Sequence, residues 1–149
     1  MPTTTGTSVI PANPAIRRFV HWVADPGVTS VPQVRSRVRA TLEAWAVPLE
    51  AADVLLLAVS ELVGNVVRHA GAGRMRVAVA SGVGWLCLDV ADQGAGLPRL
   101  PAPRAEADLE SEGGRGLLIV QLTAAELGGE LSVVAREFGK SVRVRIPAA

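Results

Sequence analysis

The sequence predicts an α/β (α+β) two-layer sandwich, in which helices pack on one face of a mixed, mostly antiparallel sheet. Three observations indicate it: pairs of strand-like segments joined by short turns, helical segments with one apolar face, and a last strand in which valine and isoleucine alternate with arginine. Strands joined by a short turn pair antiparallel, and the alternation indicates that one sheet face meets helices and the other meets water. The length of 149 residues fits a single domain.

The first half of the chain predicts one strand and two helices. Residues 1–15 contain three prolines and no charge, and they predict a flexible tail. The alternation from Ile16 predicts a strand that ends before the Pro26-Gly27 turn. A helix is predicted from an N-cap at Ser30 to Trp45, and a second one over 49–69, where an apolar side chain recurs every three or four residues. Residues 16–149 are expected to form the domain.

The second half predicts two hairpins around a loop and a helix. Segments 75–80 and 85–92 are strand-like and are separated by the short SGVG turn. Residues 93–116 predict a long loop, a feature that is usually functional inside a compact domain. A buried helix is expected to open at Gly116, and a closing hairpin is expected over residues 128–146.

Composition excludes several classes of protein. The net charge of +1 lacks the basic excess of a nucleic-acid binder, so no nucleic-acid partner is expected. Cys87 is the only cysteine, which excludes an intrachain disulfide and a multi-cysteine metal site. The first fifteen residues do not resemble a signal peptide, and no apolar run approaches the ~20 residues of a membrane span. A cytoplasmic location without membrane contact is therefore expected.

Glu61, Asn65 and His69 follow one another at four-residue steps, so a helix would stack them in one row. The row is flanked by apolar residues and should lie at the rim of the core. A carboxylate and an amide oxygen held together there suit Mg²⁺, which prefers oxygen ligands. The alternative is a helix end that carries ordinary surface polar residues.

Asp92 lies at the end of a predicted strand, and Gly94 and Gly96 follow it. By alternation, Asp92 shares the face of Leu86 and Leu88, which packs against helices. A carboxylate in that position is costly unless it accepts hydrogen bonds, and glycines leave room for a ligand or another backbone. The alternative is a plain Asp/Gly turn.

The run Gly113-Gly114-Arg115-Gly116 leads directly into the third predicted helix. Glycine-rich backbone at a helix N-terminus offers free N–H groups and the positive end of the helix dipole, which together favour an anion. The spacing is neither that of a Walker loop nor that of a Rossmann fingerprint. The alternative is a flexible hinge.

Taken together, the phrases LAVSELVGNVVRHA, LDVADQGAGLP and GGRGLLIV resemble a known nucleotide-binding fold. It is the Bergerat-type fold shared by DNA gyrase, heat-shock chaperone ATPases, sensor histidine kinases and mismatch-repair ATPases. Within this superfamily the chain is most similar to small ATP-binding proteins related to anti-sigma-factor serine kinases. The resemblance covers residues 16–147, so the expected cofactors are ATP and Mg²⁺.

The resemblance implies a role for individual residues. Asn65 matches the asparagine that holds Mg²⁺, and Glu61 matches the acid proposed as general base. Asp92 matches the aspartate that recognises the adenine amino group. The remaining implied contacts to the nucleotide are His69 beside Asn65, Gly94 and Gly96 under the adenine, Gly114, Arg115, Gly116 and Leu117 at the phosphates, and residues 97–112 as a lid.

One position departs from the family's pattern. Related proteins often carry threonine directly after the glycine that precedes the last strand. Here Lys140 occupies that place, and Ser141 follows it. Ser141 is therefore the candidate for the hydroxyl on the adenine side.

The resemblance implies an ATP-dependent serine/threonine kinase that phosphorylates an antagonist protein or sequesters a sigma factor. The alternative is an ATP-gated module that docks a partner without phosphotransfer. Five arginines against one acid make the first forty residues basic, which suits an acidic partner but is more commonly typical of a solvated helix face. An exposed edge strand near 16–24 is compatible with a homodimer. The five arginines are Arg17, Arg18, Arg35, Arg37 and Arg39.

Overall fold

The computed structural model describes residues 16–69, 73–93, 112–136 and 139–148. The expected tail 1–15, the glycines Gly94 and Gly96, and the expected lid up to residue 111 lie outside the described residues. All elements named below belong to the described part of the chain.

A five-stranded antiparallel sheet forms one layer of the molecule. Its spatial order is β1-β2-β3-β5-β4, and each pair of neighbouring strands is antiparallel. The fold prediction is confirmed, and the sheet among the described residues is antiparallel throughout. The strands are β1 (Ile16–Ala24), β2 (Met75–Gly82), β3 (Trp85–Asp92), β4 (Glu130–Arg136) and β5 (Gly139–Pro147).

The hairpin turn between β2 and β3 is tighter than the SGVG segment suggested. Ser81 and Gly82 still pair with β3, so the connection consists of Val83 and Gly84 alone. Gly84 has a φ of 79°, in the left-handed region that glycine adopts without strain. This turn allows two further residue pairs, Ser81 with Leu86 and Gly82 with Trp85, to form between the strands.

Three helices cover one face of the sheet: α1 (Ser30–Ala44), α2 (Leu49–His69) and α3 (Glu112–Glu126). The predicted end of α1 is one residue too late, because Trp45 leaves the helix and Ala46 turns at a φ of 55°. Ser30 begins α1, and its hydroxyl accepts a hydrogen bond from the Gly27 N–H at 2.8 Å.

The prediction for the start of the third helix is wrong by one turn. α3 begins at Glu112, so the glycine-rich run forms the first helical turn and does not precede it as a loop. Each glycine in a helix interior is about 1 kcal/mol less favourable than alanine. The buried Leu117, Leu118 and Val120 pack this helix into the core, and burial of this kind outweighs propensity in most protein helices.

The core lies between the helices and the sheet, and α2 contributes most to it. Its buried face includes Leu55, Val59 and Leu62. These residues belong to the same cluster as Val79 and Leu88 from the middle of the sheet. α2 also packs against α1, α3, β3 and β5, so it fixes the relative positions of the other elements.

The sheet face opposite the helices is only partly open to water. Its alternating positions include Ala80, Cys87 and Asp89, all of which are buried. Arg143 donates two hydrogen bonds to Asp89 Oδ2, at 2.9 and 3.0 Å, and the Arg145 guanidinium lies 4.7 Å above the Trp85 ring centre. The prediction of a solvated face is therefore wrong in the middle of the sheet, since long arginine stems cover apolar surface there.

No helix in the described part of the chain combines the length and the apolar character needed to cross a membrane.

Cys87 is expected to be chemically inert in the folded protein. Burial raises the pKa of its thiol to about 11, so almost no thiolate forms at neutral pH. We expect 5,5′-dithiobis(2-nitrobenzoate) to modify Cys87 at least about a hundredfold more slowly in native protein than in denaturant, because the thiolate is the reactive form. Equal rates would show that the strand opens freely at this position.

Candidate functional site

The centre of the site is one turn of α2. Glu61 and Asn65 are half-buried there, one helical turn apart, as the spacing predicted. Leu62, Val63 and Val66 are buried on the core side and fix the rotation of the helix. The two polar side chains therefore lie at the edge of the core, where they are partly open to solvent.

Glu61 lies directly against the first turns of α3. The Glu61 carboxylate occupies the space that a Cβ at Gly116 would fill, overlapping it with Oε1 and leaving only 2.9 Å to Cδ. Gly116 itself is buried. A side chain at position 116 would displace the Glu61 carboxylate, so the glycine lets an acid of α2 lie against the glycine-rich N-terminus of α3.

Asn65 has a cationic neighbour that sequence reasoning missed. Arg68 donates from Nη2 to Asn65 Oδ1 at 2.6 Å, and its Nη1 lies 3.3 Å from the position of a Cβ on Gly64. Residues three apart on a helix are neighbours, so the spacing of Asn65 and Arg68 was the available signal. The oxygen expected to bind Mg²⁺ is thus already bonded to a guanidinium.

His69 is the last residue of α2, and its side chain is exposed. It continues the row of Glu61 and Asn65 beyond the rim of the core. The structure therefore brings Glu61 and Asn65 together at half-buried positions and leaves His69 at the solvent end of the row.

Asp92 marks the second part of the site. It is buried on the helix-facing side of the sheet, as the alternation predicted, with a side chain only 3% exposed. Lys140 lies directly opposite on β5 and donates from Nζ to Asp92 Oδ1 at 2.9 Å. A buried carboxylate needs such a partner. Sequence reasoning noticed Lys140 but did not identify this pair, which the strand register produces.

Two close contacts fix the end of β3 beside this pair. Gly139 has a φ of 126°, and a Cβ there would lie 2.7 Å from the Gln93 Cα and overlap the Asp92 carbonyl oxygen. Gln93 Oε1 accepts a hydrogen bond from the Arg74 N–H at 2.9 Å. The backbone that carries Asp92 is therefore held both from β5 and from the segment after α2.

Ser141 does not join Asp92 in the structure. It pairs with Ala91, one position out of phase with Asp92 and Lys140, so the alternation places it on the other sheet face. Ser141 is fully buried. The side chain opposite Asp92 on β5 is that of Lys140, and the register gives no support to a Ser141 hydroxyl at the base.

The α3 residues of the predicted site lie in two different environments, at the start of the helix and in the core. Gly114 lies in the first turn, where backbone N–H groups have no partner within the helix. Arg115 is exposed, and Leu117 is buried in the core. Leu117 therefore contributes to packing, while the first turn of α3 offers the amides that suit an anion.

A known family matches this site. Its elements here are an acid and an amide on one helix, an acid at a strand end and a glycine-rich helix start. A model described as the histidine kinase-like ATPase domain matches residues 23–146. The chain belongs to this family. Nucleotide binding is what that family implies for the site described above.

Two curated proteins and one solved structure illustrate the relationship. Sensor histidine kinase PdtaS of Mycobacterium tuberculosis is 35% identical over 103 residues, which cover 64% of this chain and 19% of PdtaS. Blue-light-activated histidine kinase 2 of Erythrobacter litoralis is 35% identical over 107 residues, covering 68% of this chain and 29% of that protein. The chain thus spans less than a third of the length of these relatives.

The solved structure is that of the RsbU and RsbW domains of Rv1364c from Mycobacterium tuberculosis. It superposes with a TM-score of 0.66 at 18% identity, covering 89% of this chain and 33% of that chain. At this identity the likeness shows a common fold.

We predict that Gly116→Ala destabilises this histidine kinase-like ATPase domain, because the new methyl group would displace the Glu61 carboxylate. Because the carboxylate is the far end of a flexible, half-buried side chain, the free energy of unfolding should fall by no more than about 1 kcal/mol, the lower end of the cost of overpacking. Chemical denaturation would measure it. Gly27→Ala is the matched control, since a Cβ there meets nothing within 4 Å.

The same substitution should cost less in a Glu61→Ala background, where the carboxylate is gone. Such coupling is expected of residues in contact. An equal cost in both backgrounds would contradict the proposed contact.

Proposed function

We propose that the chain binds Mg–ATP and acts as an anti-sigma-factor-type regulator, a serine/threonine kinase that phosphorylates an antagonist protein. The observation that carries this proposal is the contact between Glu61 and Gly116. It joins an acid able to accept a proton to the helix N-terminus that would hold the phosphates. The motif resemblance to anti-sigma-factor serine kinases supports the same conclusion. The fold is also shared with a structure that contains an RsbW domain.

The phosphates are assigned to the first turn of α3. Backbone N–H groups around Gly114 point out of the helix end, and the dipole favours negative charge there. In the proposed step, the partner's serine or threonine oxygen bonds to the γ-phosphorus while the bond from phosphorus to the bridging oxygen breaks and ADP leaves. The Glu61 carboxylate accepts the hydroxyl proton. Phosphoryl transfer of this kind depends mainly on positioning.

The donor set at α2 fits a magnesium ion that is shared with a nucleotide. Asn65 supplies an amide oxygen, and Glu61 supplies a carboxylate one turn away. The described residues contain no group of three or more His, Cys, Asp or Glu side chains that could hold a metal by themselves. When bound, Mg²⁺ would neutralise charge on the phosphates, and Asn65 is the residue proposed to hold it.

The nucleotide base is assigned to the end of β3. Asp92 offers a buried acceptor for the adenine amino group, in a backbone fixed by Gly139 and Gln93. A carboxylate has two oxygens and about four lone-pair sites, so Asp92 can accept from the base while it keeps its hydrogen bond from Lys140. Residues 16–149 would form the ATP-binding domain.

The partner surface is assigned to the basic face of β1 and α1. Arg18 is held by Ser81 and the Trp45 carbonyl, and Arg35 by Ser60 and the Leu56 carbonyl. Arg17, Arg37 and Arg39 are exposed, so they are the arginines proposed to meet an acidic surface of the partner. Such charges chiefly raise the rate and selectivity of association.

A second candidate is an ATP-gated docking module without phosphotransfer. One observation favours it: Arg68 donates a hydrogen bond to the Asn65 oxygen. Binding of Mg–ATP through Asn65 would have to displace Arg68, which would couple occupancy of the site to the conformation at the end of α2.

ATP binding should depend on Mg²⁺ through Asn65. We expect the affinity measured by isothermal titration to be higher with Mg²⁺ than with EDTA. That difference should shrink about tenfold or more in Asn65→Ala, the scale on which a disturbed metal site loses affinity. Gln33→Ala on α1, an exposed residue away from the site, is the control. No binding of ATP in either buffer would overturn the proposed function.

Phosphotransfer should depend on Glu61. With radiolabelled ATP and candidate antagonist proteins, Glu61→Gln should retain ATP binding and lose label transfer by about a hundredfold or more, the lower range for a lost general base. The amide keeps the shape that fits against Gly116. Glu50→Gln, at an exposed position in the first turn of the same helix, should transfer normally. ATP binding without transfer to any partner would instead favour the docking module.

A further inference from the structure

An ion pair lies where the base of the nucleotide is expected. Lys140 Nζ is 2.9 Å from Asp92 Oδ1, and the two side chains are 14% and 3% exposed. The residues are direct partners across β3 and β5, on the face that packs against the helices. Of the two, the lysine is the more accessible to a ligand.

The backbone holds this pair in place. Gly139 precedes Lys140 and packs so closely on the end of β3 that a Cβ would overlap the Asp92 carbonyl oxygen. Ala135 of β4 pairs with Lys140 on its other side. Lys140 therefore lies within a strand that is paired on both edges, and its side chain starts from a fixed position.

The pair differs chemically from a carboxylate alone. A carboxylate only accepts hydrogen bonds, whereas a lysine ammonium has three donors and no acceptor. At the 6-position, adenine presents an amino donor and guanine presents a carbonyl acceptor. A lone carboxylate favours the first and repels the second, and an ammonium next to it removes that repulsion and supplies a donor.

We propose that Lys140 is a specificity-determining residue that contacts the nucleotide base, and that it lets the site accept guanine as well as adenine nucleotides. The proposal rests on nucleotide binding as proposed above and adds the choice of base. The ammonium keeps one hydrogen bond to Asp92 and donates another to O6 of guanine or N7 of either purine. Asp92 accepts from the adenine amino group or from the guanine N1–H.

The test compares ATP and GTP affinities, both with Mg²⁺, by isothermal titration on wild type, Lys140→Thr and Lys140→Arg. In the wild type the two dissociation constants should lie within about tenfold of each other. The ratio of the GTP to the ATP constant should rise about tenfold or more in Lys140→Thr, the scale of one good base-edge contact. Lys140→Arg keeps a donor and should stay close to the wild type.

Arg143→Gln is the matched control. It breaks the other ion pair between β3 and β5, on the opposite sheet face, and should leave the ratio unchanged. Thermal unfolding of each variant confirms that the protein is folded at the titration temperature.

Two results would overturn the inference while the proposed function stands. One is an unchanged ratio in Lys140→Thr, and the other is an equal gain for both nucleotides, which would mean that the ion pair merely blocks the pocket. If neither nucleotide binds the wild type, the proposed function fails, and this inference fails with it.

Discussion

The burial of α2 is the constraint on which the rest of the structure depends. This helix packs against α1, α3 and the middle of the sheet, and its apolar face occupies most of its circumference. Only the rim remains for polar side chains, so Glu61 and Asn65 stand where the core ends. The same packing brings α3 so close to α2 that a side chain at Gly116 would displace the Glu61 carboxylate. One hydrophobic interface thereby positions both the acid and the glycine-rich helix end.

Periodicity made much of this predictable. Strand alternation placed Asp92 on the helix-facing side, and helical spacing placed Glu61 and Asn65 one turn apart, as the structure has them. Both follow from local geometry, which repeats every two or 3.6 residues. The start of α3 was not predictable in this way, because glycine propensity opposes a helix there and the packing that outweighs it is tertiary.

The contacts between elements were the part that sequence reasoning could not supply. The pairing of Lys140 with Asp92 depends on the β3–β5 register, which joins residues 48 positions apart. The overlap of Glu61 with the place of a Gly116 side chain depends on the distance between two helices. Neither quantity has a local signature. The Arg68–Asn65 bond, in contrast, is local and was open to prediction from three-residue spacing.

Both polar ends of the candidate site carry a cation next to an oxygen that is proposed to bind the nucleotide or its metal: Arg68 at Asn65 and Lys140 at Asp92. The free-energy cost of breaking these two pairs differs. The Arg68–Asn65 bond is exposed, so water can replace it at little cost. In the Lys140–Asp92 pair the carboxylate is buried and the ammonium is 14% exposed, so separating the two charges costs more than breaking the exposed bond. Under the proposed function, a nucleotide would displace Arg68 readily and would have to be accommodated by Lys140. The end of β3 is therefore the place where this chain's own sequence would have the greatest influence on the choice of nucleotide.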